Sequence, residues 1–172
     1  MTRLGKHQQE IKAKVDETTE KLIRHVRDKE RLAVVEAPPG SGKTYLLLQA
    51  VKVAYEGKQR VAVATQTRSQ ADDICRRLSL VRVPAIRFVA QDGASTSQPP
   101  GIQAIAKHKD LPQDRCIVVG TTAKWGLIEL AHPFDVLFVE EAWQMGWADF
   151  MLLGQVAPRF VLIGDPGQIP PV

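Results

Sequence analysis

The sequence predicts an α/β domain: a mostly parallel sheet with helices on both faces, preceded by an N-terminal helix. Two observations carry this. Short runs of near-continuous apolar, often β-branched residues recur along the chain, as strands buried on both faces require. Stretches of helical periodicity separate them, so strands and helices alternate in the order that builds parallel crossovers.

Residues 6–29 come first. Ile11, Val15, Thr18, Leu22 and Val26 recur at helical spacing with charges between them, which reads as an amphipathic helix. "LAVVE" (32–36) is the first strand, and a helix follows from Lys43 to about Glu56. "RVAVAT" (60–65) and a helix over 69–80 form the next pair, then "AIRFVA" (85–90). A polar loop, "QDGASTSQPPG" (91–101), and a short helix lead to "CIVVG" (116–120). A helix over about 123–131, the strand "DVLFVE" (135–140), a helix near 144–153 and the strand "RFVLIG" (159–164) complete the series. We expect two parts: the helix at 1–31 and one α/β domain over 32–172.

A chain of 172 residues is long enough to bury a sizeable core. The formal charge is +4, and most of it lies early: residues 1–33 hold 9 Lys and Arg against 6 Asp and Glu, the remainder 14 against 13. A solvated helix face explains that excess more simply than a polyanion site does. Cys75 and Cys116, the two cysteines, have no metal-ligand spacing and read as reduced and structural. The start lacks the apolar core of a signal peptide and no apolar run is long enough to span a bilayer, so a cytoplasmic location is expected.

The most specific stretch is Ala37 to Thr44, "APPGSGKT", between a strand and a helix. Gly40 and Gly42 let the backbone from Pro39 through Ser41 curl so that its N–H groups face inward at phosphate oxygens. The following helix points its positive end at the same charge. Lys43 reaches the β and γ phosphates, and the Thr44 hydroxyl suits Mg²⁺. Ala37 stands where the pattern has its first glycine, and is tolerated if its φ is negative.

Hydrolysis needs an acid facing the metal and a group that engages water. Glu140 and Glu141 emerge at the end of the apolar run Val136–Val139, on the edge where a parallel sheet presents its ligand crevice. Glu140 is assigned to the metal and Glu141 to the water. "VLIGDPGQIPPV" is another apolar strand ending in a turn, and Gln168 is a neutral group suited to a γ-phosphate or its water.

"APPGSGKT", "EEAWQ" and "GDPGQIPP", in that order, resemble superfamily 1 helicases, most closely the group of nonsense-mediated-decay helicases and related DNA-processing helicases. The resemblance runs from Val34 to the last residue. It implies the first of two RecA-like ATPase domains, using ATP and Mg²⁺ and gripping single-stranded DNA or RNA by its backbone. It further implies that "VAVATQTRSQ" places Thr67 and Arg68, and "VVGTTAKW" places Thr121 and Thr122, against nucleic-acid phosphates; the same threonines would also suit helix capping. Gln144 matches a family glutamine at the nucleotide, and the family's adenine-reading glutamine corresponds to Gln8 or Gln9.

The chain departs from the family in having Glu140-Glu141 for the usual Asp-Glu, and Gln66 where proline is common. It stops at Val172, just after the third motif, whereas in the family a second RecA-like domain follows with the arginines that stabilise the transferring phosphate. Little ATPase and no unwinding are therefore expected from this chain alone. Two other readings stay open: a non-catalytic nucleotide-dependent interaction module, and a phosphate-loop kinase, against which the loop 91–101 offers no Arg or Lys. Trp125, Trp143 and Trp147 are read as packing residues, as is Tyr45, and the four histidines show no ligand spacing.

Overall fold

In the computed structural model the described residues are 3–90 and 102–167. Seven strands form one sheet in the order β1-β7-β6-β2-β5-β3-β4, and every pairing is parallel. The strands are β1 (Leu32–Glu36), β2 (Val61–Thr65), β3 (Ile86–Phe88), β4 (Gln103–Ile105), β5 (Ile117–Thr121), β6 (Val136–Glu140) and β7 (Phe160–Gly164). The helices are α1 (Arg3–Arg27), α2 (Lys43–Glu56), α3 (Arg68–Leu80), α4 (Thr122–Gly126) and α5 (Trp147–Leu152). Because all strands run one way, their C-terminal ends share one edge of the sheet.

Alternation along each central strand builds two cores. Val61 and Val63 of β2, Val136 and Phe138 of β6, and Ile163 of β7 face α2 and α3. Ala62 and Ala64, Leu137 and Val139 face the other way, against Trp125, Phe134, Leu153 and Val156. Both faces are covered, which is why these strands read as unbroken apolar runs. Leu22 and Val26 of α1 are buried in the first core beside Ala33 and Val35 of β1, so α1 packs onto the sheet domain.

The strands and long helices fall where the sequence places them, and three details differ. β4 is a strand of three residues, too short to show a period. The helix expected over 123–131 ends at Gly126, where Leu152 packs so closely that a Cβ would meet it at 3.2 Å. The helix expected near 144–153 is broken into a 3-10 turn (Ala142–Gln144) and α5, with Gly146 extended between them. The loop 91–101 lies outside the described residues. Among those that are described, no helix is long and apolar enough to cross a membrane.

Trp125 is a core residue: wholly buried, it meets Phe134 edge-on and donates from Nε1 to the Val63 carbonyl at 2.9 Å. Trp147 instead stands 75% exposed, stacked on Phe150. Both cysteines are free and buried, and burial pushes the Cys75 thiol up to about 12.

Candidate active site

The loop after β1 is built by its glycines. Gly40 and Gly42 adopt φ of +75° and +83°, conformations that L side chains rarely reach, with open space around both. Ala37 is not among the positive-φ residues, so the missing first glycine costs nothing here. Its N–H donates to the Gly164 carbonyl at 2.8 Å, which ties the loop to the end of β7. The start of α2 carries no side-chain cap, leaving its first N–H groups available to an anion.

The acids of β6 meet this loop. Lys43 Nζ lies 2.9 and 3.1 Å from the two carboxylate oxygens of Glu141, although the residues are 98 positions apart. Glu141 reaches it from a left-handed backbone conformation, φ +54°, unusual for glutamate and a sign that local packing holds it there. Glu140 is buried, with its Oε2 lacking a partner among the described residues. Burial, then the neighbouring charges of Glu141 and Asp73, raise Glu140 from 4.5 to about 7, against the lowering pull of Lys43 and Thr44.

The end of β7 closes the group. Trp143 lies against Gly164 so tightly that a Cβ there would sit 2.6 Å from the ring, which pins the turn after β6 onto β7. Asp165 is buried and accepts from the Gly167 N–H at 2.9 Å. Gln168 lies outside the described residues. Gln144 sits on the 3-10 turn, its N–H bonded to the Glu141 carbonyl at 2.9 Å.

Among the described residues, three buried side-chain polar atoms have no partner: Ser41 Oγ, Glu140 Oε2 and Gln66 Nε2. Two belong to this site. Unsatisfied buried groups are expensive, so their coincidence beside an open glycine cradle fits a ligand that supplies the missing bonds. No cluster of three or more His, Cys, Asp or Glu among the described residues suits a metal alone. A Mg²⁺ here fits only as a hard cation sharing Thr44 and Glu140 with nucleotide oxygens and water. From the loop a cleft of about 390 Å³ runs to α1, between Pro38, Pro39 and Leu46 and the side chains of Lys14, Val15 and Thr18. The resemblance, through Gln8 or Gln9, put α1 near the nucleotide, but nothing in the sequence singled out Lys14, Val15 and Thr18 as the wall.

The residues expected to face nucleic acid lie at the same sheet edge, where their hydroxyls have local partners. Thr67 caps α3 in a capping box with Gln70. Thr121 caps α4, accepting from the Lys124 N–H at 3.3 Å. Thr122 is buried, and its hydroxyl donates inward to the Thr65 carbonyl at 3.2 Å. Arg68 is exposed. Its loop is held by a residue the sequence reading missed. Arg87, 3% exposed in β3, pairs with Asp72 at 2.7 Å and donates to the carbonyls of Phe88, Val119 and Arg68. An arginine inside an apolar run was the available signal.

A family model for the AAA domain matches residues 15–172. The chain belongs to the AAA-domain family. Within it, the chain is similar to the human DNA replication ATP-dependent helicase/nuclease DNA2, 27% identical over 154 residues. The alignment covers 78% of this chain and 14% of that protein. Human RNA helicase Mov10l1 is 28% identical over 158 residues, 81% of this chain and 13% of the relative. The structure of a nuclease-deletion mutant of the Type ISP restriction-modification enzyme LlaGI, in complex with a DNA substrate mimic, superposes with a TM-score of 0.67. It is 16% identical and is covered to 17%, with 90% of this chain aligned. The chain thus spans about a seventh of the curated relatives it matches. The resemblance to superfamily 1 helicases stands, and the domain is a RecA-like, helicase-type ATPase domain.

Proposed function

We propose that this domain binds and hydrolyses Mg²⁺-ATP as the first motor domain of a superfamily 1 helicase acting on single-stranded DNA or RNA. One observation carries the reading: Lys43, at the start of α2, pairs with Glu141 just after β6, beside the buried Glu140 that ends that strand. Gly40 to Gly42 cradle the phosphates with backbone N–H groups. Lys43 exchanges its Glu141 partner for phosphate oxygens when nucleotide enters. Glu141, released, accepts a proton from the attacking water. Thr44 and Glu140 would hold the metal, which would supply neutralisation of the phosphate charge. Thr67 and Arg68 form the backbone-gripping edge, and the arrangement restrains the strand without reading its sequence. The helicase relatives, and the DNA mimic in the LlaGI complex, support a nucleic-acid partner.

Turnover depends on a second RecA-like domain. No arginine is among the described residues lining the cleft, and transition-state arginines contribute about 10³–10⁵ in rate. The isolated chain should therefore bind ATP yet turn it over more slowly than about 1 s⁻¹, an ordinary rate for such enzymes. The alternative, a non-catalytic nucleotide-dependent module, is compatible with the absence of an arginine among the described cleft residues and with Glu140 in place of the usual Asp. Glu141→Gln separates the two: under single-turnover conditions a hydrolase loses its residual cleavage while keeping ATP affinity. A module shows no cleavage to lose, and that result defeats the motor reading.

A further inference from the structure

Two segments at the C-terminal edge of the sheet carry residues assigned above to nucleic-acid phosphates: the loop into α3, with Thr67 and Arg68, and the end of β5, with Thr121. One buried guanidinium fastens both. Arg87, in β3, donates through Nη2 to the Arg68 carbonyl at 3.4 Å and through Nη1 to the Val119 carbonyl of β5 at 3.3 Å. Nη1 also reaches the Phe88 carbonyl at 2.7 Å, and Nε bonds Asp72, one turn along α3 from Arg68, at 2.7 Å. The donors of a guanidinium lie in one rigid plane, so these bonds hold loop, helix and two strands in a fixed relation that a lysine's point charge would not.

Stability alone does not call for this pair, since apolar side chains of similar volume often replace a buried ion pair without loss. Asp72 also stands where a polyanion would not want it. Its carboxylate is 44% exposed, four residues from Arg68, and repels phosphate. Its place is explained by Arg87, whose charge it balances. We infer that Arg87 and Asp72 are positioning residues for the nucleic-acid grip, a role that rests on reading this edge as the nucleic-acid face. Arg87 is too deeply buried to meet the strand, and Asp72 has the wrong sign to attract it. Together they set where the Arg68 segment stands relative to the end of β5, so that both segments meet the backbone of one strand already in place. A grip ordered in advance binds more tightly, because less order is imposed at the moment of binding.

The test is binding of a dye-labelled oligothymidylate to the whole chain, followed by fluorescence anisotropy over a range of salt, with ATP affinity measured beside it by calorimetry. Asp72→Asn breaks the ion pair at a half-exposed position, which spares the fold more than removing the buried Arg87. Charge alone predicts tighter binding when an acid beside a polyanion is neutralised. Positioning predicts weaker binding, by about three- to tenfold. No phosphate contact is removed, so the slope of log affinity against log salt should stay that of the wild type, whereas Arg68→Ala should reduce it by about 1. ATP affinity should change by less than about twofold. Asp72→Glu, which keeps a carboxylate for Arg87, should recover most of the strand affinity. Asp72→Asn binding the strand as tightly as the wild type, or more tightly, overturns the inference. So does an equal loss of ATP affinity, which would mark general loosening. If Arg68→Ala weakens the strand and Asp72→Asn does not, only this inference fails. If the wild-type chain does not bind the strand, the nucleic-acid reading fails with it.

Discussion

Glu140→Gln should make the ligand-free protein more stable at alkaline pH and leave it nearly unchanged at acid pH. The carboxyl is buried, with one oxygen lacking a partner, and burial together with Glu141 raises it from 4.5 to about 7. A raised acid binds its proton more tightly folded than unfolded. Its contribution is therefore intact below about pH 4.5 and is lost as pH climbs through the folded value near 7. The gap corresponds to about 3 kcal/mol at full ionisation, an upper figure that nearby rearrangement would reduce. For a chain of this size that is about 6–12 °C in Tm. Glutamine keeps the shape without the charge. Thermal melts followed by circular dichroism from pH 5 to 8.5, without nucleotide or divalent cation, measure the difference between variant and wild type. That difference should open between pH 5 and 8 in favour of the variant. A difference flat with pH, or one favouring the wild type at alkaline pH, refutes the placement of Glu140 as a buried acid awaiting a cation.

Gly164→Ala should destabilise by about 1–3 kcal/mol, read as a lower Tm, because its methyl would meet the Trp143 ring at 2.6 Å; an unchanged Tm would show that the turn after β6 is free to shift. Arg87→Met should cost about 3–5 kcal/mol by urea unfolding, since the buried cation holds Asp72 and three carbonyls, and the exposure of Asp72 should keep the loss toward the lower end. Gln66→Leu should raise stability by about 1 kcal/mol by removing an unsatisfied amide, and a lower Tm would mean that Nε2 has a partner in solution. Gly42→Ala should weaken nucleotide binding, because φ of +83° costs an L-residue about 1–2 kcal/mol; unchanged calorimetric affinity would argue against a preorganised loop.

Much of this was legible because the signals were local. Val61–Ala64 and Val136–Val139 are buried on both sides, so their sequence is apolar throughout and shows as strand. The loop announces itself through Gly40 and Gly42, whose backbone angles exclude most other residues. That Lys43 meets Glu141 followed from parallel strands sharing an edge, without any contact being visible in the sequence. What escaped depended on tertiary placement. A three-residue β4 has no period to detect, and Arg87 reads as a flaw in an apolar strand until Asp72 is seen beside it. Thr122 and Thr121 are alike in sequence, yet one turns into the sheet and the other caps a helix. The wall formed by Lys14, Val15 and Thr18 arises from how α1 packs on α2 and β1, which its own periodicity cannot specify.

The central claim is that the start of α2 and the end of β6 form one magnesium–nucleotide site. Titration calorimetry of the chain with ATP, with and without Mg²⁺, tests it directly when repeated on Lys43→Ala. The account predicts one magnesium-dependent site per chain, weakened by about 100-fold or more in the variant while its melting profile remains cooperative. Equal ATP affinity in wild type and variant, or binding indifferent to Mg²⁺, would contradict it.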